Sequence, residues 1–353
     1  MSAPPPATTP PAAPPPEPAP GVDDESLAAP EEVEAELEET RRRYLSWRRL
    51  LLQAAAFVVG AALVAWLVYR ATSNPQMWER LREASAGQVV ALLGCSLASL
   101  VINGAIFWLA VRPVHRLPFL ELQWVNAMAG MLNYAPVRLG VVARIAWHLR
   151  VDRMHVRHIV AWFASVTVTV LVPLGAAVAA AMTARRLDGL FLLVLAVLVI
   201  AAGLILPRLA SLPAVRRRAH GAEKVLTDPF ALWGCLILRV VDLSLWSLRM
   251  MIAVSILGIH LSAQQSFMLA MANLAITLNP LGRVGFREAT VALVAAAMTS
   301  GSGGDLVDTC SQLAVVESAG EFVVAVPAGL LALVILRRGW RRAAPRARPP
   351  SAA

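Results

Sequence analysis

Residues 190–206 read LFLLVLAVLVIAAGLIL, an apolar run without a single charged side chain. An α-helix rises 1.5 Å per residue, so a run of roughly 20 residues matches the bilayer's hydrocarbon core of about 30 Å. Runs of comparable length with almost no charge occur at 50–69, 88–111 and 313–336. The sequence therefore predicts helices that cross a membrane.

The composition of the 353-residue chain agrees with this prediction. Hydrophobic residues make up 58% and charged residues 16%, and the mean hydropathy of +0.62 is too high for a water-soluble domain of this size. The formal net charge is +9, but the arginines occur in short clusters beside apolar runs instead of on one soluble basic face. The positive charge is therefore interpreted as a determinant of membrane topology, and no nucleic-acid partner is expected.

The predicted fold class is an all-α polytopic membrane protein. Two further apolar runs, 119–133 and 265–278, are short for a span, and each is followed by a helix-breaking segment, Asn133–Pro136 and Asn279–Gly282. They predict two broken helical hairpins, either re-entrant or fully crossing, which would bring the total to eight or more membrane segments. Six full spans are predicted, at 50–69, 88–111, 159–183, 189–206, 230–258 and 313–336.

The distribution of basic residues predicts the orientation. With the N-terminus inside, the cytoplasmic connections hold 21 of the 32 Lys and Arg residues and the outer connections only 5. Both termini are therefore expected to be cytoplasmic, in a cell inner membrane. The order span, span, broken hairpin, span then occurs twice with opposite orientation. Inverted repeats of this kind build the central binding sites of many secondary transporters.

The remaining 6 basic residues fall at membrane depth, where a guanidinium costs roughly 2.5–3.5 kcal/mol. Four of them flank the two breaks, where helix N-termini would add further hydrogen-bond donors. This arrangement predicts a site for the phosphate of an anionic lipid headgroup. The alternative is that these arginines reach the interface and fix the hairpins in register. The candidate substrate-binding residues are Arg138, Arg144, Arg283 and Arg287, with Asn133, Asn279, Gly140, Gly285 and Glu288.

The roles within this set differ. Gly140 and Gly285 would allow close backbone approach, and Glu288 would accept a hydrogen bond from an arginine of the opposite repeat. Outside the set, Arg239 and Asp242 are three residues apart and predict an internal ion pair, structural more often than catalytic. A lone carboxylate at Glu317 or Glu321 is a candidate carrier of a coupling proton.

Catalytic and metal-binding patterns are missing from the sequence. It contains no nucleophile elbow, zincin or phosphate-binding loop motif, and Cys95, Cys235 and Cys310 have no metal-ligand spacing. We therefore expect a protein that is not an enzyme and that has no catalytic residues, no metal site and no cofactor.

Two tails flank the membrane region, which is predicted to span 45–338. Residues 1–44 form a Pro/Ala-rich and then acidic tail, and residues 339–353 a basic tail, both expected to be disordered. The N-terminal tail is either a solvated linker or a docking element for a protein partner. The oligomeric state stays open.

The two broken segments also resemble a known family. Residues 133–144, NYAPVRLGVVAR, resemble the Pro-x-Arg-x-Gly-Glu-x-x-Arg motif of the lysylphosphatidylglycerol synthase transmembrane region, also called the flippase-like domain family, and residues 279–288, NPLGRVGFRE, resemble its Pro-Gly-Gly-x-Gly-x-Arg-Glu segment. The resemblance covers roughly residues 45–338. Val141 stands where the family usually has Glu, and Arg283 where it usually has Gly.

The resemblance implies a helical bundle that moves or binds a lipid between leaflets. Family members that synthesise aminoacyl lipids carry a soluble transferase domain after the membrane part, and this sequence shows none, so synthesis of lysylphosphatidylglycerol is not expected. The leading hypothesis is a lipid flippase-like transporter with membrane lipids as its ligands. The alternative is a non-catalytic membrane partner of a lipid or glycan biosynthesis complex.

Overall fold

The computed structural model describes residues 75–134, 139–184, 186–219, 221–277 and 304–342, with isolated positions within 51–69 and 289–294. These residues are mostly helical and contain no β-strand. The helices are α1 Pro75–Glu83, α2 Ala86–Val111, α3 Phe119–Leu132, α4 Leu139–Arg150, α5 Val156–Ala184, α6 Gly189–Ser211, α7 Pro213–Ala219, α8 Ala222–Thr227, α9 Pro229–Ile256, α10 Ala263–Thr277 and α11 Gly304–Arg342.

Among the described residues, 5 helices are long and apolar enough to cross a membrane. They confirm five of the six predicted spans to within a few residues. The predicted span at 50–69 is described only at isolated positions, which are helical. The spans are Ala86–Val111, Val156–Ala184, Gly189–Ser211, Pro229–Ile256 and Gln312–Trp340.

Polar side chains fix where three of these spans begin. Ser85 and Gln88 form a reciprocal capping box at the start of α2. The carboxylate of Asp188 accepts from the backbone N–H of Phe191 at 3.1 Å, and that of Asp228 caps α9 in the same way. These caps satisfy backbone donors at the helix ends, where the chain enters the apolar layer.

The first broken hairpin has the predicted form. Helix α3 has 14 residues, which gives a length of about 21 Å, too short to cross a hydrocarbon core of about 30 Å. It ends at Leu132 with Asn133 as its C-cap, and α4 begins at Leu139 and packs back against α3. The second short helix, α10, likewise ends at Thr277, and the break predicted after it lies outside the described residues.

Helix α9 lies at the centre of the bundle, in contact with α2, α5, α10 and α11. Three contacts show that it runs antiparallel to α2. Cys235 lies against the carbonyl of Ile106, Asp242 bonds to Ser99, and Ser255 bonds to Gln88. Because α9 is surrounded on several sides, its charged side chains Arg239, Asp242 and Arg249 are buried in protein and do not face lipid.

Candidate functional site

A cavity of about 340 Å³ lies between the helices of the bundle. Side chains from α2, α3, α4, α5, α9, α10 and α11 line it, so it is formed by segments distant in sequence. Its polar and charged lining consists of Ser96, Ser99, Asn103, Asn126, Asn133, Arg144, Thr167, Arg239, Asp242, Arg249 and Glu321.

Helix α2 gives the cavity its long axis. Ser96, Ser99, Asn103 and Phe107 all line it and recur at intervals of three or four residues, the spacing of one helix face. At 1.5 Å per residue, this stripe spans about 16 Å, roughly half of the hydrocarbon core. The cavity therefore extends along the membrane-crossing direction of α2.

Arg144 lies at the Phe107 end of the stripe. It is 8% exposed, and its Nη2 donates to the side-chain oxygen of Asn126 at 2.6 Å. Its guanidinium carbon is 3.9 Å from the ring centroid of Phe107, a cation–π contact. No carboxylate pairs with Arg144 among the residues that the structure describes. Among the described side chains, the positive charge at this end of the cavity is therefore not compensated.

Arg239 and Asp242 form the predicted ion pair in the middle of the cavity. Arg239 Nη1 lies 2.7 Å from Asp242 Oδ2, and both side chains are buried. The other carboxylate oxygen of Asp242 accepts from the hydroxyl of Ser99 at 2.5 Å. The charges of this pair cancel, and the carboxylate is already held by two donors.

Arg249 occupies the far end, seven residues beyond Asp242 on the same face of α9. It donates to Glu317 and, at 3.3 Å, to Glu321, while Asn273 donates to Glu317 at 3.0 Å. The hypothesis of a lone carboxylate in the last span is therefore wrong, because both glutamates contact one guanidinium.

The structure brings three of the predicted site residues together. Asn133, Gly140 and Arg144 line the same cavity. The other predicted residues lie outside the described part of the chain: Arg138, Asn279, Arg283, Gly285, Arg287 and Glu288.

Three polar residues of the cavity were not predicted from the sequence: Ser99, Asn103 and Asn126. All three are polar residues in mostly apolar helices, and Ser96, Ser99 and Asn103 share the spacing of one helix face. That stripe of small polar residues in a membrane span was the signal that should have identified α2 as a cavity wall.

Several buried polar atoms of the cavity lack a partner within the described structure. They include the side-chain oxygens of Asn103 and Asn133 and the Nε atoms of Arg239 and Arg249. Buried polar groups in proteins are almost always hydrogen-bonded. These atoms therefore mark places where water or a ligand would complete the hydrogen bonding.

Gly140 sets how closely α4 approaches α3. A Cβ atom at this position would collide with the backbone carbonyl of Ala129 and with the side chain of Asn133. Gly140 thus allows a close approach between the two helices of the hairpin. It places Arg144, one turn later on α4, beside the cavity.

We expect Gly140→Ala to lower the free energy of unfolding by about 1–3 kcal/mol, because a backbone carbonyl cannot rotate away from the added methyl group as a side chain can. Reversible unfolding in mixed micelles measures the change. Gly94→Ala is the matched control, since a Cβ there meets nothing within 4 Å. Equal stability of the two variants would contradict the prediction.

Comparison with known proteins identifies the family of the chain. The family model of the lysylphosphatidylglycerol synthase TM region matches residues 53–307, well over half of the chain. No curated protein and no solved structure matches. The matched stretch includes the cavity side chains of α2, α3, α4, α5 and α9 and ends before Glu317 and Glu321.

Proposed function

Because the chain belongs to the lysylphosphatidylglycerol synthase TM region family, we propose that it is a flippase-like lipid transporter that binds an anionic phospholipid headgroup in the central cavity. The acyl chains stay in the bilayer while the headgroup crosses through the protein. The residues of the cavity bind and orient the headgroup, without covalent chemistry or a cofactor.

The observation that carries this proposal is that Arg144 is buried and forms no ion pair with any described carboxylate. A phosphate in hydrocarbon loses its hydration, so its transfer is very unfavourable unless protein groups replace the lost water. Arg144 supplies a buried cation with no carboxylate partner among the described residues, and its guanidinium presents several donors in one plane. The stripe of Ser99 and Asn103 continues from it along the crossing direction.

An inverted-repeat mechanism fits this site. In the proposal, the hairpin of α3 and α4 belongs to one repeat and the segment that begins with α10 belongs to the other. Both hairpins begin with a short helix, of 14 and 15 residues, and the two repeats would rock around the central ion pairs. Arg138, Arg283 and Arg287 would add contacts to the headgroup from the two breaks.

The proposed topology places both termini in the cytoplasm of a cell whose inner membrane holds the protein. Helix α6 tests it, because Leu187 and Leu212 lie just beyond its two ends and are both exposed. In a background with Cys95, Cys235 and Cys310 replaced by alanine, we expect Leu187→Cys to react with an impermeant maleimide on right-side-out vesicles. Leu212→Cys should react only after permeabilisation, and the opposite pattern would refute the topology.

Reconstitution tests the function itself. Purified protein is inserted into liposomes that contain a trace of phosphatidylglycerol with a fluorescent acyl chain, so that the headgroup stays natural. An impermeant reductant then bleaches only the outer-leaflet lipid. We expect the bleached fraction of the labelled lipid to exceed the fraction in the outer leaflet, either in the absence of a proton gradient or when one is imposed. Bleaching equal to that of liposomes holding an unrelated polytopic protein, under both conditions, would remove the proposal.

A further inference from the structure

A histidine–aspartate pair lies at the end of α4, beyond the residues that line the cavity. His148 Nδ1 is 2.6 Å from Asp152 Oδ2, and the two side chains are 1% and 11% exposed. An ionised carboxylate only accepts hydrogen bonds, so Nδ1 carries a hydrogen and donates it to Asp152. Nε2 is therefore the nitrogen of His148 that gains or loses a proton.

The surroundings of Nε2 leave room for this proton to matter. Nε2 is buried and has no hydrogen-bond partner in the described part of the protein, and the ring packs edge-on against Trp162 at 5.0 Å between centroids. A proton on Nε2 makes the ring a buried cation, and Asp152 supplies the counter-charge that stabilises it. Asp152 lies in the connection between α4 and α5, so a proton reaches the pair from the aqueous side of that connection.

Other titratable groups surround the pair. His115, in the connection between α2 and α3, lies within range of the charges of both His148 and Asp152. Burial lowers the pKa of His115, and the nearby Asp152 offsets this effect only in part. His148, with a carboxylate at 2.6 Å, is thus the better of the two sites for a proton. The further charged or titratable groups described in this part of the fold are Glu121 of α3, Arg144 and Arg150 of α4, and His158 of α5.

Helix α4 connects His148 to the cavity. His148 lies four residues after Arg144, which lines the cavity, and residues four apart share one helix face with Cβ atoms about 6 Å apart. The ring of Phe107 contacts both Arg144 and Trp162, so the surroundings are largely aromatic and screen charge weakly. A proton on His148 therefore raises the positive potential at this end of the cavity. The sign of this effect is the same whichever other charges line the cavity.

Resting on the proposed function, we propose that His148 and Asp152 form a proton-binding site that is coupled to headgroup binding. A proton from water binds Nε2 of His148 while the anionic headgroup binds in the cavity, and each strengthens the binding of the other. When the headgroup leaves, the same nitrogen returns the proton to water. The anion and the proton thus enter the protein together.

Binding of phosphatidylglycerol with short acyl chains tests the coupling. Its phosphodiester keeps one negative charge at about pH 6 and at about pH 8, a range over which histidine changes its charge. We expect the wild-type protein in detergent micelles to bind this lipid about tenfold more tightly at the lower pH. Equal affinity at the two pH values overturns the coupling and leaves the proposed function standing, whereas no binding at either pH overturns both.

Two variants test the assignment to this pair. His148→Gln stays polar but takes up no proton, so its affinity should be equal at the two pH values. Asp152→Asn removes the counter-charge, so the pH dependence should become smaller. His260→Gln is the control, because His260 is exposed in the connection between α9 and α10, and it should keep the tenfold difference. A structural role of His148 alone would change the affinity equally at both pH values, and a wild-type pH dependence in His148→Gln overturns the assignment.

A reciprocal measurement needs no variant. If the proton strengthens lipid binding, lipid binding must draw protons from solution. We expect the wild-type protein in weakly buffered micelles, between about pH 6 and pH 8, to take up protons when phosphatidylglycerol is added, as reported by a pH indicator. Micelles without protein are the control. Lipid binding without proton uptake overturns the coupling, even where a substitution at the pair impairs folding.

Discussion

Arg144→Gln is expected to abolish lipid transport in liposomes and to weaken binding of an anionic headgroup roughly 30- to 150-fold. The guanidinium is buried and has no carboxylate partner among the described residues, and a charged hydrogen bond from such a group contributes about 2–3 kcal/mol. Glutamine retains a hydrogen-bonding end but no charge. The assay is bleaching of a labelled lipid by an impermeant reductant, together with titration of phosphatidylglycerol.

Two further variants show whether the expected loss is specific to the charge and shape of Arg144. Arg112→Gln removes an arginine at the end of α2 that packs on Trp108 and Phe230 and does not line the cavity, so transport should persist. Arg144→Lys keeps the charge but loses the planar fork, so an intermediate rate is expected. Wild-type transport by Arg144→Gln at normal expression would show that this cation does not hold the headgroup.

Arg249→Met is expected to lower the free energy of unfolding by about 3–5 kcal/mol. The side chains of Arg249 and Glu317 are each 1% exposed, so removal of the cation takes a buried charge partner away from a buried carboxylate. Glu321, also in contact with Arg249, loses the same partner. Unfolding in mixed micelles, followed by circular dichroism, measures the change.

The paired replacement separates charge from packing. Arg249→Met combined with Glu317→Leu should recover most of the lost stability, because an apolar pair of similar volume often replaces a buried ion pair without loss. Arg208→Met is the surface control, since Arg208 is exposed and its guanidinium donates to the carbonyl of Leu204 in its own helix. A double variant no more stable than Arg249→Met would mean that the charge network is not the cause.

Part of the site was visible in the sequence. Arg144 was predicted because a cation next to a helix break at membrane depth must have a polar environment, whichever helices provide it. Gly140 was predicted as a point of close approach, and the structure shows that its neighbours are Ala129 and Asn133. The ion pair of Arg239 and Asp242 could be predicted from their spacing, because two residues that are three apart in one helix lie on the same face.

The partner of Arg249 could not be predicted from the sequence. Its place at membrane depth required a partner, but Glu317 lies 68 residues further along the chain and on another helix. Helical spacing shows which residues share one face of a helix. It does not show which face of another helix packs against that face. That choice depends on how all the helices pack together, and the same holds for Asn103, whose neighbours come from other helices.

The sequence by itself determined the membrane environment, five spans, the first broken hairpin and the need of Arg144 for a polar environment. These follow from local rules, because the hydrocarbon layer requires each crossing segment to satisfy its own backbone and to be apolar over its length. The tertiary structure decided which of the described charges form ion pairs and which do not. That outcome depends on distances between side chains of different helices, and within the described residues it leaves Arg144 without a carboxylate partner.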